Sequence, residues 1–231
     1  RNWDFTVDEA AGSVTFTTTM TEADDNFPGT MPTSLTYTFT DDDEVRLDFS
    51  AESDEDTLYN PTSHAYFNPA GIDTDARELT LQLKSPRHLE FREDQIPTGK
   101  LLETAGTPFD FQTPAKIGDK IAEMNGAYDA KFDDAFELVY EAGTPSAIVT
   151  DEKSGRAIEM TTDRNAVIFF ITNPAVADHE GDLDWFEANP YNAVALEAQT
   201  LSDAIHHPEF GDIVLPAGEK RSYTTTYAFK N

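Results

Sequence analysis

The chain has 231 residues, with 16 Lys and Arg against 44 Asp and Glu, a formal net charge of −28 at pH 7. That balance excludes a basic-patch function and disfavours duplex nucleic acid and anionic membrane as partners, since both draw Lys and Arg to phosphate. With no cysteine, disulfides, thiolate metal sites and a cysteine nucleophile are excluded, while 39% hydrophobic residues including 16 Phe and 8 Tyr suffice for a sizeable core.

The chain begins at Arg1 rather than Met and shows no signal-peptide pattern, so an upstream stretch is expected to be missing and a cytoplasmic location is expected. Val14–Thr19 alternates apolar and hydroxyl residues with period two, as a strand with one wet face does. Ser34–Thr40 and Val45–Ala51 repeat the pattern around the turn formers Asp41 to Glu44, which predicts a hairpin. Further strands are expected at Glu78–Leu83, Phe136–Tyr140, Ala147–Asp151, Ala157–Thr162, Ala166–Thr172, Ala193–Ala198 and Ser222–Phe229, with a second hairpin turning at Asp151 to Gly155. One helix stands out: Thr113 as cap, Pro114 at the first position, then Ile117, Ile121 and Met124 on one side. The longest apolar run, Ala166 to Ile171, falls far short of a membrane-spanning helix. Many short strands with a lone helix, and no Gly-rich phosphate loop, predict an all-β antiparallel β-sandwich in one domain, residues 1–231.

The acidic clusters at Asp41 to Glu44 and Asp54 to Asp56 lack the alternating ligands and Gly turn of a calcium loop, so no metal is assigned. Of the five histidines, none sits in a zinc pattern, which leaves proton transfer as the functional option. His64 lies in a polar and aromatic run from Asn60 to Gly71, where it is either a packed ring or a site group. Glu197 interrupts the apolar segment Ala193–Ala198 and shares a face with Ala193 and Ala195. Small neighbours imply a recess, in which partial burial raises a carboxylate's proton affinity towards that of a useful base; a Glu on a wet strand face is the plain alternative.

Asn60-x-Thr62-x-His64-x-Tyr66-Phe67-Asn68, followed by Ala70-Gly71, resembles the Asn-x-Thr-x-His-x-Tyr-Phe-Asn-Leu signature of the aldose 1-epimerases, or galactose mutarotases. Ile96 to Gly99, Gly106 to Phe111, Asp133 to Phe136, Leu196 to Gln199, Asp203-Ala204, His207-Pro208 and Leu215 to Glu219 follow in that family's order. Pro69 and Ala198 depart from it, standing where Leu and Thr are usual. The resemblance implies a large mutarotase-type super-sandwich with one or two short helices, acting on a small hexose with no cofactor, as a monomer or homodimer. It implies that Glu197 removes the proton from the anomeric hydroxyl, that His64 protonates the ring oxygen, and that both reverse these roles on reclosure. It also implies that Asp133 accepts sugar hydroxyls. Beside the resemblance, Phe170 and Phe67 offer flat apolar surface to a sugar's C–H face, with core packing as the favoured alternative for both, and Gln199, two residues beyond Glu197 on the same sheet face, is read as orienting it and contacting substrate. His206 and His207 read as a loop element of the family tail.

Family members also carry an N-terminal portion with a first sheet, a sugar-binding Arg and a second active-site His. The 231 residues are therefore expected to be truncated at the N-terminus, with little or no turnover by themselves. Two other readings remain: a non-catalytic carbohydrate-binding module, and an epimerase of hexose 6-phosphates using Arg87 and Arg92, which the −28 charge disfavours. If bound, a sugar is expected to lie between His64 and Glu197 side chains about 5–8 Å apart.

Overall fold

The alternating segments form antiparallel strands in the computed structural model, which describes residues 2–124, 131–173 and 190–231. Nine strands make one sheet, in the spatial order β1 (Asp4–Asp8), β2 (Ser13–Thr21), β3 (Thr30–Phe39), β4 (Glu44–Glu52), β17 (Lys220–Lys230), β13 (Ala157–Thr162), β12 (Ala147–Thr150), β7 (Thr80–Leu83) and β10 (Ala115–Lys116). Six strands make a second: β6 (Tyr66–Phe67), β15 (Val194–Gln199), β14 (Ala166–Ile171), β11 (Asp133–Glu137), β8 (Arg87–Phe91) and β9 (Pro97–Glu103). A two-stranded ribbon joins β5 (Thr57–Leu58) to β16 (Val214–Leu215).

Period two decides which residues enter the core. Leu47 and Phe49, Leu81 and Leu83, and Ile158 and Met160 leave the larger sheet on one side. They join Val167, Phe169 and Ile171 with Val194 and Leu196 from the smaller sheet in one buried cluster. The opposite face of the larger sheet carries the hydroxyls, as at Thr15 and Thr36, whose Oγ1 atoms are 2.8 Å apart across β2 and β3. Both expected hairpins form, β3 to β4 and β12 to β13. At the second, Asp151 accepts from the backbone N–H groups of Lys153 and Ser154, and Gly155 takes the left-handed conformation the turn needs (φ 78°).

Two expected boundaries shift. α1 is a single turn, Glu22–Asp25, and α2 runs from Ile117 to Glu123. The latter starts after Pro114 because Ala115 and Lys116 pair with Leu81 and Thr80, and a cross-strand ladder outweighs a local start signal. The strand expected at Phe136–Tyr140 is displaced to Asp133–Glu137, where β14 supplies partners for two aspartates of low strand propensity. No helix among the described residues is long and apolar enough to cross a membrane.

Candidate active site

Sheet register brings His64 and Glu197 together. β15 pairs with β6 through Val194↔Phe67 and Ala195↔Tyr66, and continuing that antiparallel count sets Glu197 opposite His64. Side chains two residues apart share a face, so both groups emerge on the side of Tyr66 and Ala195, away from the main core. His64 Nε2 lies 3.3 Å from Glu197 Oε1, with the imidazole side chain 46% exposed and the carboxylate 12%. The contact is closer than the expected 5–8 Å, with the imidazole packed between the rings of Tyr66 and Phe170 as it meets the carboxylate.

The next row of the sheet reads Tyr66, Ala195, Phe170, Asp133 across four strands. Ala195 is fully buried beneath Tyr66 and Phe170, whose ring centroids are 6.2 Å apart, so the opening that the small-residue pattern implied is covered by two rings. Phe170 is buried and stands edge-on to His64 with centroids 5.3 Å apart, so its packing role is the one the geometry shows. Tyr66, whose role the sequence motif does not reveal, packs on the other side, 4.9 Å from the imidazole. Phe67 points the opposite way, onto Tyr227 at 4.8 Å, and belongs to the core. Gln199 shares the face of Glu197 but makes no hydrogen bond to it among the described residues. His206 and His207 stand apart: His206 Nδ1 meets Asp203 at 2.5 Å, and the His207 ring occupies the space a Cβ on Gly99 would need. That close approach explains glycine at position 99, where φ is 85°. His179 lies outside the described residues.

Burial raises the proton affinity of Glu197, His64 opposes the rise, and the negative charge of Asp133 adds to it. Asp133 reaches solvent at the rim of the recess and is itself raised, by desolvation first, with Lys131 and His64 pulling it down. Tyr66 is raised by burial and by both carboxylates. The three acidic groups and the imidazole therefore form one electrostatic unit able to take protons from, and return them to, oxygens in the recess. Among the described residues no cluster of three or more His, Asp or Glu is arranged to hold a metal ion. Beyond Tyr66 opens a cavity of about 310 Å³, walled by Phe67, Ile72, Thr172, Asn192 and Ala193.

The neighbouring Asp134 has a different place. Alternation turns it to the face of Phe136 and Phe169, where burial pushes its carboxyl up from 3.8 to about 7. Between those two values the folded chain holds a proton the unfolded chain has released, so stability falls as pH rises across that interval. Asp134→Asn keeps an acceptor for the Asp133 N–H, now 3.2 Å from Asp134 Oδ2, and removes the buried charge. It is expected to raise unfolding free energy at pH 8 by about 1 kcal/mol or more and to change it little near pH 3.5, below both values. Urea denaturation at the two pH values checks this, and a loss of stability at pH 8 refutes it.

The family model described as aldose 1-epimerase matches residues 1–228. Among curated proteins, the maltose epimerase of Levilactobacillus brevis is 38% identical over 230 residues, which are 99% of this chain and 66% of that protein. An aldose 1-epimerase of Streptococcus thermophilus is 34% identical, over 90% of this chain and 59% of its own length. Among solved structures, a GalM/aldose epimerase homologue from C. elegans matches the whole chain at 26% identity with a TM-score of 0.86, over 69% of its own length. The chain thus spans less than two thirds of the length of these two curated relatives.

Proposed function

Because this chain belongs to the aldose 1-epimerase family, we propose that the protein containing it interconverts the α and β anomers of a free hexose such as galactose or glucose. The observation that carries the reading is the 3.3 Å contact of the half-exposed His64 Nε2 with Glu197 Oε1, beside the rings of Tyr66 and Phe170. Glu197 takes the proton of the anomeric hydroxyl while His64 gives one to the ring oxygen, and the C1–O5 bond opens to the aldehyde. Rotation about C1–C2 presents the other carbonyl face, and reclosure returns the protons in the reverse sense. Glu197, with its proton affinity raised by burial, suits both halves of that cycle. Asp133 at the rim accepts sugar hydroxyls, two at a time through its two oxygens. The reaction so written needs no cofactor.

A hexose 6-phosphate fits less well, since the basic pair considered for phosphate is already engaged. Arg87 holds Glu137 through two bonds of 2.7 Å, and Arg92 holds Asp94. A reducing disaccharide is a second reading, favoured by the cavity beyond Tyr66, which has room for another ring. The test is polarimetric, with the protein containing this chain added to fresh α-galactose, α-glucose or maltose. Faster relaxation of the optical rotation supports an epimerase, and the preferred sugar decides between the two readings. Sugar binding with no acceleration sinks both and leaves a carbohydrate-binding module.

A further inference from the structure

Arg164 is a buried cation far from any obvious use. It sits in the turn between β13 and β14, where the chain crosses from the nine-stranded sheet to the six-stranded one, and is 5% exposed. Its guanidinium carbon lies 3.4 Å from the centroid of the Tyr223 ring, which stacks in turn on Tyr59. Nη2 donates to Asn60 Oδ1 and, at 2.9 Å, to Thr200 Oγ1. Desolvating a guanidinium is costly, so what it holds there matters.

What it holds is a reciprocal clamp. Thr200 N–H donates to Asn60 Oδ1 at 2.9 Å, and Asn60 Nδ2 donates back to the Thr200 carbonyl at 3.1 Å. Asn60 precedes His64 by four residues, and Thr200 follows Glu197 by three. The β6–β15 ladder ends at Ala195↔Tyr66. Glu197 and His64 therefore lie between that last ladder pair on one side and the clamp on the other, and their spacing depends on both ends.

We propose that Arg164 is a positioning residue, which by bonding Asn60 and Thr200 together fixes the separation of His64 from Glu197 without touching either. The proposal rests on the reading of that pair as acid and base. Its action is geometric: the groups that set the proton affinity of Glu197 are its burial, His64 and Asp133, and Arg164 is not among them.

A double-mutant cycle read by NMR tests this without relying on turnover. The side-chain carboxyl 13C signal of Glu197, identified by its loss in Glu197→Gln, is followed against pH in the parent, His64→Gln, Arg164→Met and the double variant. With Arg164 present, His64→Gln raises the Glu197 midpoint, because it removes the group that holds it down. In the Arg164→Met background that rise is expected to shrink by at least half, and Arg164→Lys, which keeps a donor, is expected to restore it. An equal rise in both backgrounds overturns the proposal and leaves Arg164 a structural residue. If Arg164→Met loses its native near-UV spectrum, Thr200→Val, which removes one acceptor and leaves the backbone half of the clamp, is judged by the same criterion. Polarimetry on the same proteins judges the functional reading separately: a parent that does not accelerate anomerisation defeats that reading, while the NMR cycle still decides the positioning. In an active protein, Arg164→Met is expected to lower kcat about tenfold with KM little changed.

Discussion

Glu197→Gln is expected to lower the catalysed rate of anomerisation by about three orders of magnitude while leaving the fold at least as stable. The amide has the shape of the carboxylate and the same neighbours, but it cannot accept a proton from the anomeric hydroxyl. Stability should not suffer, because burial makes the folded carboxyl bind its proton more tightly than the 4.5 of an unhindered Glu. Stability is therefore lost as pH climbs from that value through the raised one, and the deficit persists above it. Gln carries no such deficit, so its advantage over Glu should be absent at pH 4 and present at pH 8. Polarimetry and urea denaturation measure the two halves. A variant within tenfold of the parent rate would place the base elsewhere.

His64→Gln is expected to lower the rate by about a hundredfold and to move the acid limb of the pH–rate profile upward. The sign follows from the electrostatics of the recess. His64 is the group that opposes the raised proton affinity of Glu197, so its removal leaves burial and Asp133 unopposed. Glu197 then needs a higher pH to become a base. Measurement of kcat/KM from pH 4 to pH 9 checks the shift, and an unmoved limb would mean that the imidazole does not face the carboxylate during turnover.

Much of this architecture is visible in the residue pattern, because alternation marks a strand with one wet face whatever its partners are. Val14 to Thr19 and Ala157 to Thr162 announce themselves in that way. Where a partner decides the outcome, local pattern is insufficient. Pro114 is a good helix start, yet Leu81 and Thr80 claim the next two residues. Asp133 and Asp134 are poor strand formers, yet Phe170 and Phe169 pair with them. The recess follows the same division. Glu197 among alanines is legible as an anomaly and stands beside His64, but the opening that its small neighbours suggest is covered by the rings of Tyr66 and Phe170. Tyr66 as a wall, Arg164 as a support and the short His64 contact are not legible, since each depends on which residue stands opposite on another strand. Sandwich membership has independent support from the relatives, as does the all-β class.

The pairing count that joins β6 to β15 carries a further consequence. Moving one partner along by a single residue turns every side chain of that strand over. Loss or gain of one amino acid between His64 and Phe67, or between Val194 and Glu197, would therefore send the imidazole or the carboxylate into the hydrocarbon interior. Two-residue changes would keep the orientation but slide the pair out of reach. Natural variation in chain length should thus gather in the surface connections of this protein's kin, and these two short stretches should read the same length in all of them that remain active.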